Sequence, residues 1–190
     1  VRSRGLSRTV QGTNMMEGGG VKIFRTLGTS RWRNFDPFLM LDELKVPSGD
    51  ARAGFPSHPH RGFETCTIVL AGQVRHEDSV GNSGIIGPGG VQWMTAGRGI
   101  VHSEFPHWEG EDGQTNLLHG FQLWINLPRA SKMTEPRYQD YAPGEIPTHR
   151  GPGLQVRVMS GSYQGRTGPI EMINPGLLFD VRMTAAPGER

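Results

Sequence analysis

The chain has 190 residues, with 28 glycines, 14 prolines, one cysteine and a formal net charge of +2. So much glycine and proline argues against a fold built on long helices, and a mild, interspersed charge does not by itself imply nucleic-acid binding. No apolar run reaches the roughly 18 residues a membrane span needs, and Cys66 alone excludes a disulfide within the chain, which suits a reducing compartment.

Residues 1–20 are polar and glycine-rich. Arg2, Arg4 and Arg8 with Ser3 and Ser7 are read as a basic terminus. No apolar stretch of the secretory type follows them, so no signal peptide is expected. A strand is predicted at Val21–Leu27. The segment from Phe35 to Leu44 is strongly apolar, but Pro37 argues against a helix, so it is read as extended. A Gly/Pro-rich loop is predicted from Pro47 to Pro59. Strands follow at Thr65–Leu70, Gln73–Asp78, Val91–Thr95 and Ile100–Phe105, with a short apolar pair at Ile85 and Ile86. Tight turns separate them at Ala71-Gly72, Gly81-Asn82, Gly87-Pro88-Gly89-Gly90 and Ala96-Gly97-Arg98-Gly99. His119–Leu127 alternates, with Phe121, Leu123 and Ile125 on one face and Gln122, Trp124 and Asn126 on the other. Turns every 8–12 residues point to an all-β sandwich or barrel.

Five prolines fall within residues 128–153. The expected organisation is one unit over residues 1–135, a linker over 136–153, and the opening of a second β unit over 154–190. In the last stretch, Leu154–Met159, Ile170–Ile173 and Leu177–Met183 are read as strands. They are too few to close a barrel, which takes about eight.

Two short couples carry the chemistry. His58 and His60 stand at i and i+2, and so do His102 and Glu104. On a strand that spacing points both side chains to one face. Two such couples on neighbouring strands bring three imidazoles and a carboxylate together. That donor set suits Fe(II), with Mn, Cu, Ni and Zn as competitors. A structural zinc site would be richer in cysteine. Glu64 shares the parity of the histidines if no bulge intervenes, either as a ligand or as a carboxylate orienting one. Trp93 and Met94 are read as barrel wall, with a place in a substrate pocket as the second option. Arg61 is either an anion contact or a surface ion-pair partner. His76, His107, His119 and His149 are assigned no special role. Cys66 is read as a small buried apolar group.

Several segments resemble the pirin family of the cupin superfamily. They are Phe35-Asp36-Pro37-Phe38-Leu39, His58-Pro59-His60-Arg61-Gly62-Phe63-Glu64-Thr65, and the long run from Gln92 through Gly97-Arg98-Gly99-Ile100-Val101-His102-Ser103 to Glu104. Gly120–Pro128 and Lys132–Pro136 belong with them. The resemblance implies a cupin-type double-stranded β-helix barrel, jelly-roll-like, followed by part of a second cupin barrel. It implies one iron, as Fe(II), on His58, His60, His102 and Glu104.

It further implies a flavonol dioxygenase of the quercetin 2,3-dioxygenase type, an oxidoreductase using O2, with Glu104 and Glu64 as candidate proton acceptors. The alternative it implies is a non-catalytic, iron-dependent redox sensor that acts as a transcription cofactor through a transcription-factor partner. An intracellular place, in the nucleus or cytoplasm, no direct nucleic-acid contact and a monomeric state go with it. A metal-dependent isomerase or hydrolase is a weaker third reading, because one fold hosts many reactions.

Overall fold

The computed structural model describes residues 5–33, 35–48, 53–108 and 117–184. Arg2, Ser3 and Arg4 of the expected basic terminus lie outside them, as do residues 49–52 of the expected loop. Ten strands form the first part: β1 (Thr13–Glu17), β2 (Val21–Leu27), β3 (Phe38–Pro47), β4 (Phe55–His60), β5 (Phe63–Ala71), β6 (Gln73–Asp78), β7 (Ser83–Ile86), β8 (Val91–Thr95), β9 (Ile100–His107) and β10 (Leu117–Asn126). Six follow: β11 (Arg137–Tyr141), β12 (Thr148–Gly151), β13 (Leu154–Ser160), β14 (Ser162–Tyr163), β15 (Arg166–Thr167) and β16 (Leu178–Met183). Helix among the described residues is limited to two 3-10 turns, Arg129–Ser131 and Pro143–Glu145. The all-β expectation holds.

Two sheets face each other. The larger runs β1-β2-β3-β10-β5-β8-β11 and the smaller runs β4-β9-β6-β7. Every pairing in both is antiparallel. Val21, Ile23, Val46, Val69 and Leu118 of the larger sheet pack against Val74 and Ile86 of the smaller one. Each such side chain fully withdrawn from water contributes roughly 1.5–3 kcal/mol before entropy is counted. This apolar plug fills one part of the space between the sheets, and the polar residues described below occupy another.

Four expectations are corrected. β1 lies inside the N-terminal stretch read as merely polar, and it pairs with β2 from Thr13↔Arg25 to Glu17↔Val21. Residues 55–60 are not loop: they form β4 although Pro56 and Pro59 interrupt them. β4 is an edge strand, bonded only to β9, so a missing N–H on its free side costs no ladder bond. Ile170–Ile173 is not a strand. Pro169 and Pro175 flank it, and Ile170 inserts singly into the core. Finally, the Arg61-Gly62 turn, with Gly62 at φ +79°, ends β4 and starts β5 in the other sheet. The parity carried from His60 to Glu64 is lost there.

Within the 136–153 stretch read as a linker, β11 pairs with β8 along Arg137↔Thr95 to Tyr141↔Val91. Beyond it, β12-β13-β16 make a three-stranded sheet. This part covers the outer face of the larger sheet: Met159 and Ile170 are buried with Cys66, Trp93 and Ile125. Arg157 is buried and joins the two parts, donating to the Gly89 carbonyl and to Asp180 at 3.3 Å. The larger sheet is therefore buried on both faces, which explains why β8 is buried at every position.

Candidate metal centre

β4 and β9 are neighbours, and His58 lies directly opposite His102 in their register. The i, i+2 rule then brings His60 to the same face. The ring nitrogen His58 Nε2 stands 3.0 Å from His60 Nε2 and 3.1 Å from His102 Nε2. The three donor atoms lie within 4.8 Å of one another. Two imidazole nitrogens bound at right angles to a cation at roughly 2.1 Å stand roughly 3.0 Å apart, against roughly 3.4 Å for a tetrahedral pair. The observed spacings therefore fit adjacent positions of an octahedral shell.

The protonation of the rings suits ligation too. His58 Nδ1 donates to the Pro56 carbonyl at 2.8 Å, which in the neutral ring leaves the Nε2 lone pair free. Burial pushes the His60 imidazole down to about 3, and the charges of His102 and His58 push the same way against an upward pull from Glu104. Burial likewise pushes His102 down to about 4, helped by His58 and His76 and opposed by Asp78. His60 and His102 are neutral at physiological pH, as metal ligands must be. Three nitrogens crowded at these distances could hold a cation at their centre.

Glu104 is on the same face of β9 but is not one of the tight group. Its oxygens accept from Gln122 Nε2 at 3.2 and 3.0 Å and from Thr67 Oγ1 at 3.4 Å. It spans the gap between the two sheets, close enough to raise the affinity of His60 for a proton. His76 lies opposite Glu104 on β6, buried, with Asp140 Oδ2 at 3.6 Å from its Nε2. The buried Tyr138 hydroxyl, whose pKa burial raises first and Asp78 second, stacks its ring near His76 at 5.4 Å.

Glu64 is elsewhere. On β5 the odd residues face the histidines: Phe63 packs against His60 at 5.0 Å, and Thr67 reaches Glu104. The even residues face the C-terminal part. Glu64 is fully buried there and accepts from Trp93 Nε1 at 3.0 Å and Thr95 Oγ1 at 2.7 Å. As a proton acceptor at the histidine cluster it is excluded by the alternation of its own strand. Trp93 shares that outer face and does not line the cavity. Met94 points inward and packs with Ala96 and Ile100. Arg61 sits on the turn after β4, where its Nη2 touches Met133 Sδ at 3.4 Å, and it makes no ion pair among the described residues.

A cavity of 550 Å³ opens at His58 and His60. That volume suits a drug-sized organic ligand. Trp124 and Phe63 stack at 4.5 Å and form one wall, with the Trp124 ring 5.0 Å from His60. Met40 and Phe55 add apolar surface, and Arg25, Asp42 and Glu17 a charged edge. Sequence reasoning assigned no role to Gln122, Thr67, Phe63 or this charged edge. Its one usable signal was the strand alternation that groups Gln122 with Trp124.

An antiparallel two-sheet fold with three converging imidazoles that could hold a metal ion, two of them lining an aromatic-walled cavity, is of the cupin type. The sequence matches the family model described as Pirin over residues 20–125. The chain belongs to the pirin family. It is 47% identical over 186 residues to a pirin-like protein of Caulobacter vibrioides, covering 96% of this chain and 66% of that protein. It is 41% identical to human pirin over 182 residues, 95% of this chain and 60% of that one. Among solved structures, a quercetin 2,3-dioxygenase from Acinetobacter baumannii superposes with a TM-score of 0.76 at 34% identity, covering 90% of this chain and 62% of that one. The chain thus spans between about half and two-thirds of the length of the curated relatives it matches.

Proposed function

We propose that the chain is the metal-binding part of a flavonol dioxygenase of the quercetin 2,3-dioxygenase type, holding one Fe(II) on His58, His60, His102 and Glu104. The observation that carries this reading is the convergence of three imidazole nitrogens, with His58 and His60 lining a cavity sized for a small aromatic molecule. Similarity to the Acinetobacter baumannii enzyme supports the substrate class.

A bound divalent metal supplies Lewis acidity and a redox centre. The protein does the rest. The neutral imidazoles of His60 and His102 offer lone pairs without first losing a proton at physiological pH. Gln122 holds the Glu104 carboxylate in the same layer, and Glu104 is the carboxylate assigned to receive the proton of a flavonol hydroxyl brought to the cluster. Trp124 and Phe63 present flat aromatic surface to the ligand's rings, and Met40 adds apolar surface that keeps water from that side of the cavity.

The test uses a protein extended to the length of its relatives. It is loaded with Fe(II) and given quercetin and O2. Consumption of both together, lost in His58→Ala and His102→Ala, is expected. Metal-replete protein that consumes neither overturns the reading. The regulator alternative needs the same ligands but no turnover, so the same assay separates the two. It would also require binding to a transcription factor that differs between the reduced and oxidised protein.

A further inference from the structure

The cavity at the histidine cluster has a charged edge. Arg25 Nε and Nη2 each donate to one oxygen of the buried Asp42, both at 2.8 Å, and Arg25 Nη1 lies 3.1 Å from Glu17 Oε1. All three residues line the same cavity as His58, His60 and Trp124. Two carboxylates against one guanidinium leave this edge with a net negative charge. Asp42 is saturated by the bidentate pair. Glu17 has no side-chain partner but Arg25 among the described residues, and its side chain is 38% exposed, so it retains accepting capacity toward the cavity.

The position of Glu17 is built rather than incidental. It ends β1 and is followed by the turn into β2. There Gly19 N–H donates to the Gly54 carbonyl at 2.7 Å, fastening the hairpin tip to the start of β4. Gly18 sits at φ +52°, where a side chain would meet that same carbonyl at 2.6 Å. Only glycine permits so close an approach in that conformation. The hairpin and the strand carrying His58 and His60 are thereby held in one frame.

We infer that this edge selects the ligand: the cavity takes neutral polyphenols that carry hydroxyl donors on the side facing Glu17, and it rejects aromatic carboxylates. A phenolic O–H donates to the Glu17 carboxylate, a charge-assisted bond. A carboxylate at the same place meets a net negative wall whose one cation is already paired, and like charges in a partly dry cavity repel. This inference rests on the flavonol reading and narrows it.

The experiment measures binding, not turnover. The Fe(II)-loaded protein without O2 is titrated with quercetin, with 3-hydroxyflavone, which has no other hydroxyl, and with 3-hydroxyflavone bearing a carboxylate on its outer ring. Quenching of tryptophan fluorescence reports occupancy, since Trp124 lines the cavity. Quercetin is expected to bind about tenfold more tightly than 3-hydroxyflavone, the order of one hydrogen bond to a charged group. The carboxylated compound is expected to bind about tenfold more weakly than 3-hydroxyflavone. In Glu17→Gln both ratios should shrink to about threefold or less, because the edge becomes neutral while an acceptor remains. Equal affinities for the three compounds in the unaltered protein, or ratios unmoved by Glu17→Gln, overturn the inference. Running the titration on the protein extended to the length of its relatives, and then admitting O2, separates the two claims. Discrimination without turnover sinks the dioxygenase reading alone, and turnover without discrimination sinks this inference alone.

Discussion

The Gln122 side-chain amide donates to both oxygens of Glu104, at 3.2 and 3.0 Å, while its carbonyl accepts from Trp124 Nε1 at 3.2 Å. One side chain thus ties the candidate fourth ligand to the aromatic wall of the cavity. Partners that hold a ligating carboxylate typically contribute 10- to 100-fold to metal affinity. Gln122→Ala should weaken Fe(II) binding by about that factor, read by competition with a coloured chelator. Unchanged affinity would show that Glu104 is held elsewhere.

Metal removal should be visible as a loss of stability. The three histidines and Glu104 come from β4 and β9, and β4 is an edge strand with only β9 to hold it. A ligand bound only by the folded state stabilises it by about 2.7 kcal/mol when present at about 100 times its dissociation constant. Chelated protein should therefore melt several degrees below the loaded form. His102→Ala should melt at one temperature with or without added Fe(II). A melting temperature insensitive to Fe(II) in the unaltered chain would count against the site.

Much of this was legible in the sequence because strands obey a period of two. The i, i+2 couples His58/His60 and His102/Glu104 each lie on one face of their strand, and β2, β6 and β8 have the bounds expected of them. What could not be read was which sheet a strand joins. Glu64 looked equivalent to the histidines until the Arg61-Gly62 turn carried the chain across to the opposite sheet. Gln122 and Leu123 point to opposite faces of β10, yet both faces are covered, one by the cavity layer and one by the C-terminal part. Apolar–polar alternation signals a wet face and a dry one, so it cannot rank two buried faces.

The placement of Glu64 gives a prediction that separates structure from chemistry. Its carboxylate satisfies Trp93 Nε1–H and Thr95 Oγ1–H between the barrel and the C-terminal part. Glu64→Ala leaves both donors buried without a partner, at about 1–3 kcal/mol each, and opens a void. Denaturant unfolding should show a loss of several kcal/mol, on the order of that sum. Metal stoichiometry of the folded fraction should stay at one per chain. Loss of the metal without loss of stability would return Glu64 to the site.

The depressed imidazoles fix the sign of a pH dependence in the metal-free protein. His60 and His102 titrate at about 3 and about 4 in the fold, against 6.5 for an unperturbed histidine. Between those values the unfolded chain binds more protons than the native one, so stability rises with pH. The contribution is whole above about 6.5 and drains away as the pH falls from there toward about 4. Urea midpoints of the chelated protein should therefore hold steady from pH 8 to 7 and decline from pH 6 to 5. His60→Gln, which offers no group to protonate, should flatten the decline. A midpoint that rises on acidification over that window would mean that protonated imidazoles are stabilised in the fold, and the cluster would then be a poor metal site.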